Sequence, residues 1–181
     1  MRLFVAVKPP GDIVKHIEYI CERLRAQGID GRYTKPDNIH LTLKFMGEVE
    51  EARLDGIKAA LSQAAKSSPS FYLNLKDVGF FRRNKGDILW VGVDGDMEKL
   101  TGLHKTVDRC LRGIGFKGDS RPFKPHITIA RGVRLDNDAI EFIKGIALDD
   151  NGFKVDRISL MSSVLHRQGP IYSGVGTFRL T

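Results

Sequence analysis

Apolar residues recur along this chain with two periods. Alternation every second residue marks a half-buried strand, and recurrence at 3.6 residues marks an amphipathic helix. Residues 3–8 open as an apolar strand carrying Leu3, Phe4, Val5, Ala6 and Val7. Val14, Ile17, Ile20, Cys21 and Leu24 then share one helical stripe over 12–27, and Gly28 supplies a stop. Residues 39–45 alternate again, with a turn at Gly47. Leu54, Ile57, Ala60 and Leu61 predict a helix over 51–66, ended by Ser67-Ser68-Pro69, after which Phe71, Leu73 and Leu75 alternate as a strand. The remainder predicts a strand over 88–93, then a helix over 97–111 with Leu100, Leu103, Thr106, Val107, Cys110 and Leu111 inward. A strand over 125–131, a helix over 136–146, a long strand over 153–164 and a last strand over 171–180 complete the chain.

Strand-helix-strand-helix-strand, twice, predicts an α+β fold of two similar lobes, each an antiparallel sheet with two helices. The chain reads as a single bilobal domain over 1–181, duplicated at roughly 1–83 and 86–181. The duplication shows at a fixed offset, 126 − 40 = 86, between two copies of one tetrapeptide pattern, His40-Leu41-Thr42-Leu43 and His126-Ile127-Thr128-Ile129. At that offset, Phe4-Val5-Ala6-Val7 maps onto Trp90-Val91-Gly92-Val93, Lys35-Pro36 onto Arg121-Pro122, and Ile57-Lys58 onto Ile143-Lys144. A pseudo-twofold axis between the lobes would let the two motif strands face each other. The stretches 82–87 and 115–120 read as basic loop tips.

Composition narrows the setting. No apolar run approaches the ~20 residues that cross a bilayer. The first seven residues run into Lys8-Pro9-Pro10 without a cleavage-site pattern, so they read as a strand and a cytoplasmic location is expected. Lys and Arg exceed Asp and Glu by 29 − 22 = 7, which favours a polyanionic partner, nucleic acid above all. Cys21 and Cys110 show no spacing pattern and read as reduced thiols.

The two His-x-Thr-x motifs carry the chemistry. Alternation puts His and Thr on one face of each strand and the aliphatic residues on the other. Two imidazoles with an ordinary pKa near ~6.5 can share the work of acid and base at neutral pH. The hydroxyls of Thr42 and Thr128 can hold phosphoryl oxygens. A catalytic zinc site usually needs three protein ligands, and no His-Glu-x-x-His or carboxylate cluster accompanies the pair, so no metal is expected. No glycine-rich phosphate loop is present, so ATP use is not indicated and no cofactor is expected. Asp37 reads as a turn residue, and His16, His104 and His166 as structural. The near-symmetry of the motifs leaves open which imidazole starts protonated; Lys124 near His126 disfavours a charged ring there and gives mild support to His126 as the base.

The stretches 35–49, from Lys35-Pro36 through His40-Leu41-Thr42-Leu43-Lys44-Phe45-Met46-Gly47, and 121–131, Arg121 to Arg131, resemble the two-histidine phosphoesterase superfamily. Within it they resemble the RNA 2′,3′-cyclic phosphodiesterases, also called 2′-5′ RNA ligases. Phe4-Val5-Ala6-Val7 and Gly169-Pro170-Ile171-Tyr172 are similar too, so the resemblance spans nearly the whole chain. Tyr33 departs from it, since many members carry Trp there. The resemblance implies an active site in a central cleft and hydrolysis of an RNA 2′,3′-cyclic phosphate to a 2′-phosphate. It implies His40 as proton donor, His126 as proton acceptor, and Thr42 and Thr128 on the phosphoryl oxygens. It adds Arg131 as a phosphate contact, with Lys124 and Tyr172 as further substrate-binding residues. Strict alternation puts Arg131 on the Ile127 and Ile129 face, so a bulge would have to re-aim it. Tyr172 and Phe45 are candidate base or ribose contacts, but Phe45 shares the apolar face of its strand, so core packing is the stronger expectation for it. RNA with 2′,3′-cyclic ends, tRNA fragments included, is the expected partner of a monomer that engages no membrane. The reverse reaction, ATP-independent 2′-5′ joining, belongs to the same family. Two other readings fit the charge and the histidines: a non-catalytic RNA-binding module, and an endoribonuclease working through a cyclic phosphate.

Overall fold

The computed structural model describes residues 1–148, 151–166 and 169–181. Its elements in chain order are β1 (Arg2–Val7), α1 (Gly11–Ala26), β2 (Arg32–Tyr33), β3 (Leu41–Glu48), α2 (Leu54–Lys66), β4 (Phe71–Phe81), β5 (Asp87–Gly95), α3 (Met97–Gly113), β6 (His126–Val133), α4 (Asn137–Lys144), β7 (Gly152–Val155), β8 (Arg157–His166) and β9 (Gly169–Arg179). Short 3₁₀ turns, Pro36–Asn38 and Glu51–Arg53, precede β3 and α2. The second takes the first turn of the predicted 51–66 helix. None of the described helices is long and apolar enough to cross a membrane.

The strands form one antiparallel sheet in the order β7-β4-β5-β6-β3-β1-β8-β9, with β2 also on β6. That order is symmetric about the β6–β3 junction: β6 matches β3, β5 matches β1, β4 matches β8 and β7 matches β9. The spatial halves are not the sequence halves, because β4 lies beside β5 and β8 beside β1. The offset is also not constant. Thr42 faces Ala6 and Thr128 faces Trp90, so the first strands correspond at 90 − 6 = 84. Ala6 in turn pairs with Ser159 and Trp90 with Gly79, a separation of 159 − 79 = 80. The gapless mapping of Phe4 onto Trp90 is therefore corrected to Ala6 onto Trp90.

The predicted strand over 153–164 is two strands, β7 and β8, which join opposite ends of the sheet. The cause is a slip of apolar phase. Val155 and Ile158 are both buried with two polar residues between them, and Asp156 turns the chain, accepting from Arg157 Nε at 2.7 Å and from the Leu180 amide at 2.8 Å. Between the last two predicted strands, Arg167 and Gln168 lie outside the described residues; His166 ends β8 and pairs with Gly169.

The core lies between the sheet and the helices. Ile17, Ile20 and Leu24 of α1, Ile57 and Leu61 of α2, and Leu100, Leu103 and Val107 of α3 are buried against Leu41, Leu43, Ile127 and Ile129 of the motif strands. Each large aliphatic side chain so buried contributes ~1.5–3 kcal/mol. The aliphatic half of each motif thus anchors its strand and leaves the polar half facing away from the core.

Candidate active site

β3 and β6 meet, among the described residues, at one registered pair, Leu41 with Ile127. Continuing the register one residue each way sets His40 opposite Thr128 and Thr42 opposite His126. Directly opposed residues in an antiparallel pair lie ~4.5–5.5 Å apart at Cβ and diagonal ones ~7–8 Å, so the two imidazoles flank a gap of phosphate size. Beyond Ile127, β2 takes over the β6 edge: Arg32 pairs with Arg131 and Tyr33 with Ala130, and the Thr34 amide donates to Ile129 O at 2.8 Å. A cleft of about 530 Å³ opens above this junction, lined by His40, Thr42, His126 and Thr128.

Two bulges in each motif strand decide what else enters the cleft. In β3 the extra residues are Leu43 and Met46. In β6 they are Ile129 and Gly132, each 86 residues later. After Ile129 the alternation changes phase: Ala130 turns inward and Arg131 turns out into the cleft. The equivalent step after Leu43 sends Lys44 into the core and Phe45 into the cleft, where it is 63% exposed. The expectation that Phe45 packs in the core is therefore corrected, and the bulge is the reason. The sequence carried a signal for it, since 45 + 86 = 131.

Lys44, 3% exposed, donates from Nζ to Asp108 Oδ1 at 2.6 Å and to Lys117 O at 2.9 Å, and pairs with Asp119 at 2.8 Å. Burial opposes its charge, but the bonds to the two carboxylates outweigh that and raise its pKa. His104 pairs with Asp119 at 3.2 Å and stacks on Phe123 at 4.0 Å. This knot ties the loop that leads into His126 to the strand that follows His40.

Both imidazoles are oriented the same way. His40 Nδ1 lies 2.7 Å from Asn38 O, and His126 Nδ1 lies 2.7 Å from Lys124 O. A carbonyl only accepts, so each Nδ1 carries its proton and each Nε2 is left for chemistry. His40 Nε2 is 3.0 Å from Thr42 Oγ1. Burial holds both imidazoles below the ordinary value of 6.5, and the Arg131 guanidinium lowers them further; the two carbonyl contacts act in the opposite sense. Lys8 and His126 itself also lower His40.

The cleft gathers Arg131 and Tyr172 with the two His-Thr pairs. The Lys124 side chain is not in its lining; what Lys124 brings to His126 is its carbonyl. The cation acting on His126 is Arg131, so the sequence-based argument from Lys124 is corrected to that residue. Tyr33 lines the cleft, with its hydroxyl donating to Ile29 O at 2.7 Å and Arg25 over its ring at 4.2 Å. Lys35 and Asn38, from the 35–49 stretch, also line it, as do Arg32, which no motif marked, and His166, whose reading as a structural residue is corrected. Asn38 holds both walls: its carbonyl orients His40 and its amide donates to Pro170 O at 2.9 Å, two residues before Tyr172. Among the described residues no group of three His, Cys, Asp or Glu side chains is placed to hold a metal ion.

Residues 9–167 match the family model described as the 2′-5′ RNA ligase superfamily. The chain belongs to that superfamily. Among relatives, it is 34% identical over 178 residues to the RNA 2′,3′-cyclic phosphodiesterase of Methanocaldococcus jannaschii, covering 95% of this chain and 96% of that one. It is 32% identical over 173 residues to the protein of the same name from Thermotoga maritima, covering 95% and 91%. The crystal structure of E. coli LigT complexed with 3′-AMP superposes with a TM-score of 0.79 at 26% identity, covering 99% of this chain and 98% of that one.

Proposed function

We propose that this protein hydrolyses RNA 2′,3′-cyclic phosphate ends to 2′-phosphomonoesters by metal-independent acid–base catalysis. One observation carries the reading: two Nε2 atoms, each fixed by an Nδ1–carbonyl bond, converge on one cleft with Thr42, Thr128 and Arg131. Neutral His126 takes a proton from water as the water oxygen attacks phosphorus. The P–O3′ bond breaks, and protonated His40 delivers its Nε2 proton to O3′. Thr42, Thr128 and Arg131 hold the non-bridging oxygens, where charge rises in the transition state. A 5′-hydroxyl in place of water yields the 2′-5′ linkage with the same proton balance.

The lowered pKa of both imidazoles fits this scheme once substrate is counted. An empty cleft holds two neutral rings at pH 7; a bound phosphate anion favours the charged form of one. Tyr172 and Phe45 offer ring faces to the terminal base or ribose. Cyclic ends terminate cleaved RNAs, tRNA fragments among them, and the protein is expected to meet them as a cytoplasmic monomer.

The test is turnover of a 2′,3′-cyclic-ended oligoribonucleotide in EDTA by His40→Ala and His126→Ala. Each loses ~10²–10⁴-fold in kcat. Undiminished turnover in both variants ends the proposal. RNA binding without any product from the unaltered protein would return the non-catalytic binding module.

A further inference from the structure

The 82–87 hairpin tip between β4 and β5 lies against the far end of β6. A Cβ on Gly86 would come within 2.7 Å of Gly132 Cα, so the tip is seated on the β6 backbone at its second bulge. Around that contact lies a second hollow of about 640 Å³, lined by Arg83, Lys85 and Arg134 with Gly132 between them. The hollow neighbours the catalytic cleft along β6, with Gly132 lining the one and Arg131 the other. A Cβ on Gly132 would lie 3.7 Å from the Arg32 guanidinium, which itself lines the cleft, and Gly132 follows Arg131 directly. Arg134 is three residues beyond Arg131, within the ~10 Å that three extended residues span.

The cations in this hollow divide into two kinds. Arg82 is spoken for: it pairs at 2.6 Å with Asp87, which is 5% exposed and also accepts from the Arg83 amide at 3.2 Å. That pair builds the hairpin. Arg83, Lys85 and Arg134 are exposed and have no carboxylate partner among the described residues. Three cations without a carboxylate partner, two on the hairpin tip and one just after β6, stand in a hollow next to the cleft that holds Arg131 and Arg32, and suit a polyanion longer than one nucleotide.

We propose that Arg83, Lys85 and Arg134 bind the backbone phosphates of a single RNA strand on the 5′ side of its cyclic end, so that the protein prefers oligoribonucleotides to mononucleotides. The inference rests on the reading of the cleft as an RNA-end site. The reactive nucleotide is the 3′-terminal one, so the rest of the strand leaves the cleft in its 5′ direction. The hollow gives it phosphate contacts without base contacts, and hence without sequence preference.

The experiment compares the unaltered protein with Arg83→Gln/Lys85→Gln/Arg134→Gln. Binding of a fluorescent cyclic-ended 12-mer is read by anisotropy across a salt series, and turnover is read on a nucleoside 2′,3′-cyclic phosphate. The triple variant should bind the 12-mer about tenfold more weakly at low salt, with the slope of log K against log salt shallower by about 2, at ~0.7 per single-strand phosphate contact. Mononucleotide turnover should be unchanged. An unaltered 12-mer affinity and salt slope overturns the proposal. Anisotropy needs no chemistry, so a protein that turned over neither substrate would defeat the catalytic reading while the binding series still judged this surface.

Discussion

His40 and His126 stand on equivalent strands, each held through Nδ1 by the carbonyl two residues upstream, yet their surroundings differ. His40 lies 4.9 Å from the Phe4 ring and 5.3 Å from the edge-on Tyr172 ring, and its Nε2 has Thr42 Oγ1 at 3.0 Å. Among the described residues His126 has one aromatic neighbour, Phe81 at 5.1 Å, and its Nε2 has no protein partner. The same scaffold thus gives one enclosed ring and one open ring. A base that must activate water needs an unoccupied lone pair within reach of solvent. An acid that must deliver a proton to a ribose oxygen needs neither. The difference supports His126 as acceptor and His40 as donor, which near-identical tetrapeptides could not decide.

The largest effects should come from separating these two roles. Beyond the ~10²–10⁴-fold losses, the pH profiles of residual kcat should differ. His40→Ala should lose the basic limb and His126→Ala the acidic limb. The reverse pattern would exchange donor and acceptor and leave the cleft intact.

Arg131 and Phe45 occupy the same place after equivalent bulges, one a cation and one a ring. Arg131→Gln should lower kcat by ~10²–10³-fold, the loss expected when one donor to a developing oxyanion is removed. It should also move the pH profile. Arg131 disfavours the charged form of both imidazoles, so removing it lets both pKa values rise, and both limbs of kcat/KM should shift to higher pH. In the unaltered protein the acidic limb of kcat/KM should lie below pH 6.5, because burial lowers both rings. Phe45→Ala should instead act mainly on KM, by the ~1–3 kcal/mol of one stacked base. A kcat loss in Phe45→Ala as large as that in Arg131→Gln would show that the two bulges do not divide binding from chemistry.

These bulges also mark where the sequence stopped being legible. Periodicity located the strands and helices because their aliphatic faces are buried against one core. The motifs located four polar side chains of the cleft because period 2 holds from His40 to Thr42 and from His126 to Thr128. It fails one residue later, where Leu43 and Ile129 are extra. A bulge is a backbone event with no residue signature of its own here, so only the match of Phe45 with Arg131, 86 residues later, announced that Lys44 and Phe45 exchange faces. Arg32 reaches the cleft through the pairing of β2 with β6, a contact 131 − 32 = 99 residues apart in sequence that local patterns do not encode.

Lys44 and Ala130 are the second pair of equivalents, both turned inward by the bulge. Only Lys44 brings a charge into the core. Lys44→Met removes the cation that Asp108 and Asp119 share, and breaking a buried pair costs ~3–5 kcal/mol. The low end applies because Asp119 is 36% exposed and can recruit water. At ~2–4 °C per kcal/mol for a domain of this size, Tm should fall by about 6–12 °C. A fall of under 2 °C would mean that the knot between β3 and the loop before His126 contributes little to stability.

The smallest effect should come from the ring that sets the two histidines apart. Tyr172 meets Phe4 at 5.0 Å and His40 at 5.3 Å, both edge to face, and burial holds its hydroxyl proton more tightly than usual. The geometry assigns its work to the ring. Tyr172→Phe keeps both edge contacts and should leave kcat within about twofold. Tyr172→Ala removes them at ~0.5–1.5 kcal/mol, a two- to tenfold loss of kcat/KM, and readmits water around His40. With that desolvation relieved, the His40 pKa should rise and carry the basic limb to higher pH. The same ring deletion opposite, Phe81→Ala, should move the acidic limb through His126 instead. Two variants that shift the same limb would mean that the rings tune the cleft as a whole and do not distinguish its donor from its acceptor.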